Sequence, residues 1–201
     1  MHIKNIYKNI LFINFILFFP YSVFSNDISD FQIEGISIGD SLLDYMSEKE
    51  IKNNIVEIYQ YYNNQDFTTV QLSNHRILTQ YDGLQINIKR KDQNYIIYGL
   101  YGGIYYTNKN IEECYDDMKK IDRDISNLFN NLEKVGPEKQ IHQADPSGDS
   151  TYTGIYNYFP SDSTISVECY DWSNKITKEK NWVDNLRISI SSKEFNDWLW
   201  Q

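Results

Sequence analysis

Alanine is nearly missing from this chain of 201 residues: Ala144 is the only one, while Asn, Ile, Lys, Tyr and Phe are abundant. That skew is what an AT-rich genome imposes on any product. The paired asparagines Asn53-Asn54 and Asn63-Asn64, and the many tyrosines, therefore carry no functional signal of their own. Cysteine is scarce too. Cys114 and Cys169 are the only two, so neither C-x-x-C nor zinc spacing is present. Outside the first few residues histidine is limited to His75 and His142. The nine glycines form neither G-x-G-x-x-G nor a Walker loop. Basic residues (19) are outnumbered by acidic ones (28), and the net charge of −9 argues against sequence-independent binding to nucleic acid, which needs Lys and Arg to meet phosphates. No apolar run reaches the roughly 20 residues that span a bilayer. The longest, Ile10 to Phe19, is broken by Asn14 and ended by Pro20.

That run instead has the order of a secretory signal peptide. Lys4 and Lys8 precede it, and Val23 and Ser25 occupy the small-residue positions of a cleavage site before the polar Asn26-Asp27. Cleavage after Ser25 is expected. It leaves 176 residues with a charge of −11, since Lys4 and Lys8 depart. No cysteine near the junction provides for lipid modification, so the mature chain should carry no stable membrane anchor. Its size suits a single domain, 26–201, with two small lobes dividing near 108 as the alternative.

Periodicity along the mature chain predicts an α+β fold in which antiparallel sheet packs against one long amphipathic helix. Phe31 to Ile38 alternates as a short strand. Short helices are expected near 41–53, the second opened by a Ser47-to-Glu50 capping box. Strands follow at Ile55 to Tyr62 and Phe67 to Leu72. Leu84 to Ile88 and Tyr95 to Tyr106 form a hairpin, and Gly99, Gly102 and Gly103 mark a bulge or close backbone approach in its second arm. From about 110 to 134, Ile111, Cys114, Met118, Ile121, Ile125, Leu128 and Leu132 recur at helical spacing, with Asn110 and Glu113 as a capping box and Gly136-Pro137 as the stop. A polar loop, Gly136 to Ser150, leads to strands at Thr151 to Phe159, Thr164 to Asp171 and Val183 to Ile190. A short helix at 192–200 closes the chain.

Cys114 shares the apolar stripe of the long helix, and Cys169 follows Ile165 and Val167 on one face of an alternating strand. Both thiols should face the same core, and in an exported chain with an even cysteine count a Cys114–Cys169 disulfide is expected.

Candidate chemistry is sparse. His142, Asp145, Ser147 and Ser150 lie within nine residues and could suggest a hydrolase, but Pro, Ser, Gly and Asp are ordinary turn formers and no nucleophile elbow is present. Asp116, Asp117, Asp122 and Asp124 point in different directions around a helix and do not converge on a metal. Trp172, Trp182, Trp198 and Trp200, with the tyrosines between 95 and 106, could line a sugar or lipid groove or simply pack across strands. No cofactor motif is found.

The stretches from Phe31 to Tyr45 and Gly102 to Tyr106, with Glu113-Cys114-Tyr115 and Cys169-Tyr170-Asp171-Trp172-Ser173, resemble a family of small exported proteins of AT-rich marine alphaproteobacteria. The likeness covers nearly the whole mature chain. It implies a periplasmic or secreted setting and supplies no active site. The opening strand and the turn from Ile38 to Tyr45 are also loosely similar to small outer-membrane lipoprotein domains that assist envelope assembly, whose lipid-anchor cysteine this chain lacks. The resulting expectation is a non-catalytic periplasmic protein that binds an envelope component or a protein partner. The alternative is a periplasmic hydrolase with its site around His142 and Asp145.

Overall fold

The structure, a computed structural model, describes residues 27–58, 65–107 and 110–200. The expected signal peptide and the second half of the strand expected at 55–62 lie outside the described residues. Eight strands, β1 (Ile55–Val56), β2 (Phe67–Ser73), β3 (Gly83–Lys89), β4 (Ile97–Tyr106), β5 (Glu133–Ile141), β6 (Thr151–Tyr158), β7 (Thr164–Asp171) and β8 (Asp184–Ser191), form one antiparallel sheet ordered β1-β2-β3-β4-β8-β7-β6-β5. Each half of the chain contributes a four-strand meander. The two join through their last strands, β4 against β8, from Gly99↔Ser191 to Tyr106↔Asp184.

Side chains alternate across the sheet, so each strand supplies two chemistries. One face carries Val70 and Leu72, Leu84 and Ile86, Leu100, Leu186, Ile188 and Ile190, and Ile165, Val167 and Cys169, all buried. Two helices cover it, α1 (Glu48–Asn53) and α2 (Ile111–Leu128). Ser47 and Glu50 make both hydrogen bonds of the capping box at the start of α1. From α2, Cys114, Met118 and Ile125 face inward. Cys114 is disulfide-bonded to Cys169, with Cα atoms 5.9 Å apart, which ties the helix to β7. Among the described residues no helix is long and apolar enough to cross a membrane.

Several expectations need correction. Phe31 to Ile38 is not a strand: Ile33 and Ile36 bridge each other around a two-residue turn in which Glu34 (φ 54°) and Gly35 (φ 75°) are both left-handed. The helix expected over 110–134 ends at Leu128. Phe129 is already extended (ψ 139°) and meets the Phe159 ring edge-on at 4.9 Å, so the stripe continues to bury apolar residues through a turn instead of a helix. Asn110 makes no side-chain cap; its amide donates to the Glu113 carboxylate. The first part of the loop expected from Gly136 to Ser150 is instead strand: β5, an exposed edge strand that bulges between Val135 and Glu138, runs to Ile141, and the loop begins at His142. The connection from Ser173 to Asn181 holds a further helix, α3 (Asn174–Lys180), capped by the Ser173 hydroxyl and ended by Asn181 in the left-handed region. The last helix, α4 (Lys193–Leu199), is capped by Ser192, one of the two serines, Ser191 and Ser192, that the sequence offers for the cap.

The disulfide closes a separation of 55 residues. Replacing both cysteines by serine should destabilise the fold by about 4 kcal/mol in the chain-entropy model, read as a lower urea midpoint. Ile125, fully buried under α2, should cost about 2 to 5 kcal/mol on truncation to alanine by the same measurement.

Candidate functional site

The second face of the sheet is only partly covered. At one end α4 lays Phe195 and Trp198 over Phe67 and Tyr101, with ring centroids 5.0 to 6.3 Å apart. Gly99 is required there, because a Cβ would stand 2.9 Å from the Phe195 ring. Beyond this aromatic plug the face opens into a groove of about 660 Å³ that runs from β2 to β8 and the segment after β7.

Strand register sets the groove's layout. Its central row is Ser73, Gly83, Gly103 and Arg187. One flanking row is Gln71, Gln85 and Tyr101, and the other is Tyr105, Asn185 and Tyr170. The Tyr105 ring lies across the glycine pair: a Cβ on Gly83 would be 3.3 Å from its hydroxyl, and one on Gly103 3.6 Å from its Cε1. A side chain at Gly83 would press on the hydroxyl, whereas a Cβ at Gly103 would only reach ordinary contact with the ring. As built, 51% of Tyr105 remains exposed on the groove floor.

The far wall is an aromatic ladder. Tyr152 stacks on Tyr170 and Tyr170 on Trp172, each pair 5.8 Å apart and within 22° of parallel. Trp172 then meets Trp182 at 4.6 Å and His142 at 4.5 Å. Arg187 lies over the Tyr101 ring at 4.2 Å, directly across from Glu168 on β7. Glu168 accepts hydrogen bonds from the hydroxyls of Tyr156 (2.8 Å) and Tyr170 (2.9 Å). Burial and the Glu168 charge push both phenols far above their ordinary range, so they stay protonated as donors.

His142 and Asp145 are placed differently from one another. His142 lines the groove, its Nδ1 accepting from the Ala144 N–H at 3.1 Å. Burial, and then the nearby Lys180 charge, lower its pKa, which keeps the ring neutral at pH 7. Asp145 is buried and accepts five hydrogen bonds: from the N–H and hydroxyl of Ser147, the N–H and hydroxyl of Ser150, and the hydroxyl of Ser173. Ser147 and Ser150 hold its carboxyl far below the usual range, against a smaller opposing effect of desolvation. Because Ser173 also caps α3, Asp145 pins the loop of His142 to the helix that leads into Trp182.

Of the four tryptophans considered from sequence, Trp172 and Trp182 reach the groove, Trp198 belongs to the plug, and Trp200 is 86% exposed. Tyr101 and Tyr105 join the groove from the tyrosine-rich strand. Arg187, Gln71, Gln85 and Asn185 were not singled out, since only strand pairing brings them together. Asp117 and Asp122 serve the helix surface, Asp117 accepting from Tyr106 and pairing with Lys120, and Asp122 pairing with Lys134.

Asp145→Asn should lower the thermal midpoint at pH 7. The folded-state pKa is depressed, so the stabilisation is complete above the unfolded value of about 4 and is lost as pH falls below it. The gap between wild type and variant should therefore narrow below pH of about 4, a trend that melting curves across pH would check.

Searches against protein-family models, curated proteins and solved structures find no match to this chain.

Proposed function

We propose that this chain is an exported, non-catalytic binding protein whose ligand, a component of the cell envelope or a protein partner, seats in the groove on the open sheet face. The observation that carries the reading is the groove's construction. Two half-exposed rings, Tyr105 and Trp182, border a floor of planar polar side chains, in the mix of aromatic surface and few polar groups that ligand pockets share. The Cys114–Cys169 disulfide is consistent with a compartment outside the reducing cytoplasm, periplasmic or secreted.

A hydrolase built on His142 and Asp145 has less support. The Asp145 oxygens are committed to three serines, and Asp145 meets His142 through the backbone, its N–H donating to the His142 carbonyl. Asp145 is therefore not placed to orient the imidazole as a general base.

Two measurements test the proposal. Expressed in a Gram-negative host, the protein should reach the periplasm with an N-terminus at or within a few residues of Asn26. An intact Met1 in the membrane fraction would contradict export. Hydroxyl-radical footprinting of the purified protein with and without envelope extract should show protection at Tyr105 and Trp182 and none at Trp200. Unchanged labelling at both groove residues, or substrate turnover abolished by His142→Ala, would contradict the binding reading.

A further inference from the structure

We infer that the groove takes a carbohydrate, a short unbranched run of sugar rings lying across β2, β3, β4 and β8 and stacked on Tyr105 and Trp182. The inference rests on reading this groove as the binding site and names its ligand class.

The floor provides a flat stacking surface. Tyr105 lies along the Gly83–Gly103 pair, where the missing side chains leave room for its ring, and about half of it is open to the groove. The apolar C–H face of a pyranose matches such a surface, while its rim of hydroxyls needs partners that both donate and accept. Gln71, Gln85 and Asn185 have that double capacity, and the Arg187 guanidinium adds in-plane donors held by the Tyr101 ring beneath it. An acyl chain in the same place would strip water from these groups and return no hydrogen bond, a cost for each one.

Position in the sheet disfavours an extended peptide. Three of the four floor strands, β3, β4 and β8, are paired on both sides, so their backbone groups are already used and offer no edge for strand addition; among the described residues β2 is covered by β1 only at Thr69 and Val70. Recognition on those three strands must then come from side chains alone. Charge points the same way. In a chain of net charge −9, no Asp or Glu lines the groove among the described residues; its charged lining residue, Arg187, faces Glu168 across the strand pair, and the Lys180 ammonium lies over the Trp182 ring at its rim, so a neutral ligand suffices. From Ser73 to Arg187 the trough crosses three strand spacings, about 14 Å, room for two or three rings end to end.

The test titrates the purified mature protein with short cello-, malto-, chito- and galacturono-oligosaccharides, followed by tryptophan fluorescence. At least one series should bind saturably with Kd below about 1 mM. Trp182→Ala and Tyr105→Ala should each weaken it about tenfold or more, while Trp200→Ala leaves it unchanged. Gln85→Ala, which leaves every aromatic ring in place, should weaken it as well. Circular dichroism should be unaltered throughout. Saccharide binding that ignores the groove substitutions would overturn the inference. If no saccharide binds but a fatty acid or a peptide pool does, with affinity lost on Trp182→Ala, the carbohydrate assignment falls and the groove stands. If none of these probes responds to Trp182→Ala, both fall.

Discussion

The pairing of β4 with β8 is the constraint on which everything else in this molecule depends. Each half of the chain is a four-strand meander, and the groove exists because the two meet strand to strand. Tyr101, Gly103 and Tyr105 come from β4, and Asn185 and Arg187 from β8, so neighbouring groove residues are 80 or more positions apart in sequence. The register is fixed from the other side of the sheet. Leu100 opposite Ile190 and Gly102 opposite Ile188 lie in the apolar core, and a slip of one residue would turn Ile188 and Ile190 outward and Arg187 inward.

Burial of one face therefore dictates the chemistry of the other. Along β8, Leu186, Ile188 and Ile190 are buried beside the helices, which leaves Asn185, Arg187 and Ser189 to the open side. The disulfide acts at this level too: it holds α2 on β7 at Cys169, whose registered partner on β8 is Leu186, next to Asn185 and Arg187. A helix fixed on the inner face keeps the groove strands from shearing. The link from covalent bond to groove thus runs through the sheet.

Much of this was legible in the sequence where the signal is local. The β3–β4 and β6–β7 hairpins, the Ser47 capping box, the disulfide and the Ser192-capped final helix each follow from neighbouring residues. What was missed lacks local signal. In β5, Glu133–Ile141, polar and charged residues hide any alternation, because the strand is an edge held by β6 alone and most of it is exposed. Helix α3 has a single buried residue, Ile176, and so no stripe. The end of α2 was misjudged for the opposite reason: Phe129 and Leu132 keep the helical period and are used by the core, but Asn131 turns the chain at φ 61°. The groove was legible only as a list of aromatic residues, since no spacing within the chain pairs Tyr105 with Asn185.

The same distinction between local and long-range signal explains how the His142–Asp145 segment reads. In one dimension it gathers an imidazole, carboxylates and hydroxyls, as a hydrolase would. In three dimensions the Asp145 carboxylate answers a different need. The loop returning from β5 to β6 must be anchored against the start of α3, and a buried carboxylate does this well when several donors surround it. Five donors occupy its two oxygens, so it has little capacity left to orient a base. Glu168 is engaged in the same way by two phenols opposite Arg187, and buried Asp184 accepts from the Trp172 N–H at 2.8 Å. The carboxylates around the groove are thus spent on holding its walls. The groups that line the cavity among the described residues are rings, amides, the Ser73 hydroxyl, the Arg187 guanidinium and the His142 imidazole.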